Sequence, residues 1–169
     1  HAKRHLQFHW NMRFINAHNR QGKSFWLGVN HLMDATKEEL AVLTGAAFPN
    51  DSSDESRKYS DHLHKPTLGE LELPSSINWT DLGAVTKVKD QGSCGSCWSF
   101  GTTGAIEGQF FRATGNLVRL SQQELMDCSW GFDNKACNGG VDIRSYRWMI
   151  NNTGGTIATE DSYGPYLNA

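Results

Sequence analysis

The placement of the cysteines constrains this chain more than any other feature. All four, at 94, 97, 128 and 137, fall in the second half of the 169 residues, and two of them form Cys94-Gly95-Ser96-Cys97 at the head of an apolar run. A Cys-x-x-Cys pair with two later cysteines has three readings: a four-thiolate zinc site, a redox-active pair, or a nucleophile beside a structural disulfide. A zinc ribbon supplies its second pair at similarly short spacing on a knuckle turn, whereas Cys128 and Cys137 are nine residues apart and Cys128 ends a helical pattern. A thioredoxin-like pair follows a strand in a βαβ pattern, and no parallel-sheet alternation follows Cys97. The third reading accounts for more of the surrounding residues.

Cys97 begins a run in which Phe100, Ile106 and Phe110, with small Gly101, Gly104 and Ala105 between them, predict a helix buried on much of its surface and stopped by Gly115. The first turn of a helix offers unpaired amides and the positive end of the macrodipole, which favour a thiolate. Gln91 stands six residues upstream on a glycine-containing loop. From there its amide can lie beside the attacking sulfur and, with the Cys97 backbone N–H, donate to a developing oxyanion.

The rest of the chain falls into zones of different texture. Up to about residue 45, apolar residues at Leu6, Trp10, Phe14, Leu40 and Leu43 recur at helical intervals, predicting two short helices around an extended Phe25–Val29 strand. From Phe48 to about Glu72, Pro, Ser, Asp and Lys give linker composition open to proteolysis. Ala84–Val88 predicts a short strand. Ser121-Gln122-Gln123-Glu124 has the form of a capping box opening a helix to about Cys128, and Ile143–Ile150 predicts a further helix closed by Gly154-Gly155.

Charge points to no class of partner. The formal net charge of -2 is spread over 16 basic and 18 acidic residues with no polybasic block, so neither nucleic acid nor a membrane surface is expected. No stretch approaches the length of an apolar membrane span, and residues 1–10 are too polar for a signal-peptide core, so any secretion signal is expected outside this chain. Sequons at Asn50, Asn78 and Asn151 are glycosylation candidates, though roughly two would arise by chance. No cofactor and no metal are expected.

Gln91-Gly-Ser-Cys-Gly-Ser-Cys-Trp-Ser-Phe100 resembles the nucleophile motif of the papain family of cysteine proteases. Asn78-Trp79, Gly83-Ala84-Val85-Thr86 and Val88-Lys89-Asp90 are similar to the start of that family's mature enzyme. Leu120–Cys128 resembles its second helix and Cys137-Asn138-Gly139-Gly140 its substrate-binding edge. Arg4, Phe8, Asn11, Ile15 and Asn19 follow the interrupted spacing of cathepsin L-like propeptides, and Gly28-x-Asn30-x-Leu32-x-Asp34 resembles the next propeptide motif, with Leu where Phe is usual.

The resemblance implies an α+β, papain-like fold of which this chain holds a part. Residues 1–72 would be an inhibitory propeptide with a linker at about 48–72, and residues 73–169 the N-terminal helical part of the peptidase domain, the β-rich domain being absent. It implies Cys97 as nucleophile and Gln91 as oxyanion donor, Gly139 and Gly140 as the strip that pairs with extended substrate, and Val141 and Asp142 as a wall of the specificity pocket. It also pairs Cys94 with Cys137 and leaves Cys128 for a cysteine beyond Ala169. Protein or peptide substrates and the chain's own propeptide are the partners implied, in a lysosomal, endosomal, digestive-vacuole or secreted setting. The family's catalytic histidine and asparagine lie far downstream of the cysteine, yet all seven histidines here precede Cys97 and only 72 residues follow it. The chain by itself is therefore expected to be inactive, and a propeptide-type inhibitor or binding module is the alternative reading.

Overall fold

A computed structural model describes residues 1–44 and 74–168. The Asn50 sequon, the linker, and the histidines at 62 and 64 lie outside the described residues. With no Gly or Pro to interrupt it, the first segment forms one long helix, α1 (Ala2–Asn19), where the sequence predicted a short one. The chain then turns back along α1, and Ile15 and His18 of the helix are buried, as are Met33 and Ala35 of the returning segment.

The returning segment is held by side chains of α1. Both hydrogen-bonding groups of the Leu27 backbone engage Asn19, its N–H donating to Oδ1 and its carbonyl accepting from Nδ2, each at 2.9 Å. Asn11 Nδ2 donates to the Met33 carbonyl at 2.8 Å. Phe25–Val29 is no strand: at Leu27 a side-chain amide stands in place of a ladder partner, and Phe25, Trp26 and Val29 remain exposed. Arg4 reaches across to Asp34 at 3.3 Å and to Glu39. The short α2 (Lys37–Leu43) opens on a complete capping box in which Thr36 Oγ1 accepts from the Glu39 N–H and Glu39 accepts from the Thr36 N–H.

In the second part, α3 (Cys97–Thr114) packs against α4 (Gln122–Cys128) and α5 (Asp142–Asn152), with the short α6 (Glu160–Tyr163) beside α4. The core is formed by Cys94, Trp98, Leu125, Met126, Trp148 and Met149. Gly115 ends α3 at φ +76°, its N–H donating to Phe111 O, and Gly155 closes α5 by donating to Met149 O.

Three expectations are corrected. Helix α3 is buried on one side only, and its fully buried positions are polar: Ser99, Thr102, Thr103 and Glu107 are covered, while Gly101, Gly104, Ala105 and Phe110 face outward. Each hydroxyl returns a hydrogen bond to the backbone of the preceding turn, so burial leaves no orphan donor. Ala84–Val88 forms no strand and bends at Val85; Val88 is fully exposed, and Thr86 and Lys89 bind Glu107. At α4 only half of the expected box forms: Ser121 Oγ accepts from the Glu124 N–H, but Glu124 turns its carboxylate to the Ala158 N–H at 2.6 Å. The Ser121 N–H is satisfied by Ala158 O, next to the antiparallel bridge between Leu120 and Thr159.

Candidate active site

Cys97 is the first residue of α3 and its thiol is free and half-buried. The preceding Ser96 is fully buried, yet its hydroxyl does not cap the helix; it lies 2.6 Å from the hydroxyl of Tyr166. The first-turn amides of α3 therefore lack a side-chain cap at the end where helices accept anions. Tyr166 also donates to the Gln91 carbonyl at 2.9 Å, and so ties the loop before α3 to the far end of the chain.

Gln91 is held by two carbonyls. Its Nε2 donates to Cys94 O at 2.8 Å, which folds the side chain back over the loop, and to Leu43 O at 2.9 Å. Leu43 ends α2, so a peptide carbonyl of the first part of the chain sits on this amide. A cavity of about 440 Å³ runs along the same seam, lined by Arg4, Asp34, Glu39, Leu43, Asp90 and Ser93 among others.

Cys94 and Cys137 are joined by a disulfide, which brings the turn at 136–140 beside the head of α3. The Gly95 N–H donates to Cys137 O and the Trp98 indole N–H to Ala136 O, both at 3.1 Å. Gly140 packs so tightly here that a Cβ would stand 2.6 Å from the Trp98 ring and 2.7 Å from Asn134 Oδ1. Gly139 engages both of its backbone groups within the turn, its carbonyl accepting from Lys135 and its N–H donating to Ala136. Val141 is half-buried with its N–H on Asn134 Oδ1, while Asp142 is exposed at the start of α5.

The structure thus gathers Gln91, Cys94, Cys97, Cys137, Gly139 and Gly140 into one neighbourhood and leaves other residues elsewhere. Cys128 is exposed at the end of α4, its thiol 3.8 Å from the Tyr163 hydroxyl, which donates to Asp127. Burial first, then the Asp127 and Cys128 contacts, push the Tyr163 phenol far above its ordinary range. Asn78 and Asn151 are exposed, the latter in the last turn of α5. The described histidines belong to the first part: His18 meets Phe25 O, and His5 faces His9. Among the described residues no group of three or more His, Cys, Asp or Glu could hold a metal ion.

Two supports escaped sequence reasoning. Buried Asn134 donates to both Ser129 Oγ and Ser145 Oγ while accepting from Val141, so one amide fixes the turn behind Gly140. Buried Glu107 accepts from Lys89 Nζ, Thr86 Oγ1 and the Leu120 N–H. A lone acid between Ile106 and Gly108 in an apolar helical run was the available signal for Glu107; nothing local marks Asn134.

The site thus comprises a free cysteine at a helix start, a glutamine on the loop before it and a disulfide-braced glycine turn on a helical scaffold. Residues 73–169 match the family model described as papain family cysteine protease, and residues 1–40 match the cathepsin propeptide inhibitor domain. The chain belongs to the papain family of cysteine proteases, and it comprises a propeptide and part of a catalytic domain. Cathepsin L2 of Homo sapiens is 42% identical over 161 residues, covering 93% of this chain and 45% of the relative. A cathepsin L-like peptidase of Aedes aegypti is also 42% identical, covering 92% of this chain and 47% of the relative. Among solved structures, digestive procathepsin L2 proteinase from Tenebrio molitor larval midgut superposes with a TM-score of 0.78 at 32% identity, covering 99% of this chain and 54% of that one. The proform of Amb a 11, a ragweed pollen cysteine protease, gives 0.75 at 32% identity, covering 99% and 50%. The chain spans about half the length of the relatives it matches. Its helical architecture is that of the corresponding part of papain-like proforms.

Proposed function

We propose that the complete protein is the zymogen of a cysteine endopeptidase, with residues 1–72 as its inhibitory propeptide and residues from 73 as the first half of the enzyme. The observation that carries this reading is the hydrogen bond from Gln91 Nε2 to Leu43 O. A peptide carbonyl already rests on the amide assigned to hold a substrate's oxyanion, and it comes from the segment that would have to leave for activity. The neighbouring free thiol at the head of α3 supplies the nucleophile.

In the proposed reaction the Cys97 thiolate attacks the scissile carbonyl carbon of a protein or peptide. The electron pair moves to oxygen, where Gln91 Nε2 and the Cys97 N–H stabilise it. Collapse expels the amine, which takes a proton from an imidazolium; water then hydrolyses the thioester and frees the sulfur. Gly140 is the member of the glycine pair assigned to meet extended substrate, since Gly139 has engaged both backbone groups within its own turn. Val141 and Asp142 border that strip. Cys128 is assigned to a disulfide with a cysteine beyond Ala169, and a lysosomal, endosomal, digestive or secreted setting fits such an enzyme.

The imidazole must come from beyond Cys97, because every histidine of this chain precedes residue 65. The purified 169-residue chain is therefore expected to give no turnover of a fluorogenic peptide, and the complete protein to give turnover abolished by Cys97→Ala. Gln91→Ala in the complete protein should lower kcat by about 10²–10³ with little change in KM. Cys97-dependent turnover by the isolated chain would overturn its expected inactivity, and turnover by the complete protein that survives Cys97→Ala would overturn the nucleophile assignment. The inhibitor reading is favoured by the same Leu43 contact, and titrating residues 1–72 against an active cathepsin L-like enzyme measures it directly.

A further inference from the structure

Helix α1 carries a pair of histidines that neither the peptidase chemistry nor the core uses. His5 and His9 are one turn apart and exposed, and their Nε2 atoms are 3.1 Å from each other. The ring centroids are further apart than the nitrogens, at 4.4 Å, so the two rings converge at their Nε2 ends. Both residues lie in the first half of the 18-residue α1, which fixes their backbones one turn apart, and the Phe8 and His9 ring centroids are 6.0 Å apart, edge to face.

Neutral imidazole is the commonest nitrogen ligand of borderline-soft divalent metals, and two histidines at i and i+4 lie on one helix face. With metal–nitrogen bonds of about 2.0–2.1 Å, nitrogens at the observed separation subtend about 100° at the metal, between the right angle of an octahedral cis pair and the tetrahedral angle. Oxygen-preferring Ca²⁺ and Mg²⁺ are not suited to such a pair. Arg4, the sequence neighbour that would oppose a bound cation, is engaged by Asp34 and Glu39.

We propose that His5 and His9 form a two-ligand site for a divalent transition-metal ion such as Ni²⁺, Cu²⁺ or Zn²⁺ on the exposed face of α1. Water completes the coordination shell. A metal held there links two successive turns of the helix that matches the propeptide inhibitor domain, and so tightens α1 without touching Cys97.

Titration of the full chain carrying His1→Gln with Ni²⁺, after Cys97 and Cys128 have been alkylated, tests the site, because the His1 amine and imidazole and the two thiols would compete for the metal. His9→Gln and His5→Gln should each weaken the tightest binding step at least tenfold. The double variant should be little weaker than either single one, because one imidazole cannot chelate. His31→Gln, exposed and outside the pair, should bind as the parent does. Far-UV circular dichroism checks that α1 is intact, and the exposure of both histidines makes loss of the fold unexpected. Binding by His9→Gln within twofold of the parent would overturn the proposal, as would equal effects of His31→Gln and His9→Gln.

Discussion

At the scale of single residues, the candidate site depends on positions where there is no room for change. Gly140 is one of them, although nothing in its backbone requires glycine: the constraint is the face of Trp98 on one side and Asn134 Oδ1 on the other. Gly140→Ala forces either the indole or the Asn134 amide to move, and both are buried. The Asn134 amide cannot yield without breaking its bonds to Ser129, Ser145 and Val141. The substitution should destabilise the fold by about 1–3 kcal/mol. Urea unfolding of the variant checks this, and an unchanged midpoint would mean that the turn at 136–140 shifts freely. Such a residue shows why part of the site was hidden in the sequence. The Gly139-Gly140 pair was visible by its neighbours in the motif, whereas the reason for Gly140 is a tryptophan 42 residues away and an asparagine whose three partners are scattered.

Elements were legible where their signals are local. The start of α3 at Cys97, its stop at Gly115 and the closure of α5 by glycine depend on residues within a turn of the event. Strands were not, because a strand is defined by its partner. Leu27 found the Asn19 side chain instead, and Val85 and Val88 project into solvent beside Glu107's ligands. The α4 capping box failed by half for the same reason: Ala158, 34 residues from Glu124, offered an unpaired N–H that competed with the local one. Glu107 is the non-local contact with the largest consequence for an element. Its carboxylate, 2% exposed, joins α3 to Lys89 and Thr86 before the helix and to the Leu120 N–H after it. Glu107→Gln keeps the shape but leaves the Lys89 ammonium, 12% exposed, without its counter-charge. A loss of about 3 kcal/mol is expected, the low end for breaking a buried pair. Lys89→Met in the Gln background should recover part of it, and a double-mutant cycle measured by chemical denaturation reads the coupling.

On the scale of the whole molecule, two distant stretches meet at the loop before Cys97. Leu43 arrives on the Gln91 side chain, Tyr166 on the Gln91 carbonyl, and Asn168 Oδ1 accepts from the Ser93 N–H. The Tyr166 hydroxyl is the hinge of this arrangement, since it also meets Ser96 at the N-cap of α3. Burial raises its pKa above the ordinary 10.0, with the Asp90 carboxylate adding to the rise and the Ser96 contact opposing it. A raised folded-state pKa means that the neutral phenol is favoured by the fold. Its stabilisation is fully present below pH 10 and is lost as pH climbs from there through the folded value. Tyr166→Phe removes both the hydrogen bonds and the ionisation. At pH 7 the variant should be about 1–2 kcal/mol less stable than the parent, the cost of leaving the Gln91 carbonyl without a donor and the Ser96 hydroxyl without an acceptor. Between pH 10 and 11 the parent should lose stability faster, so the gap narrows. Urea midpoints of both proteins from pH 7 to 11 give the answer, and a gap that stays constant would show that the fold does not raise the Tyr166 pKa. If the gap does narrow, it does so because the unfolded chain ionises first: the folded phenol stays neutral, and its bond to the Gln91 carbonyl ties residues 166–168 to the loop before Cys97 until the pH passes the folded value.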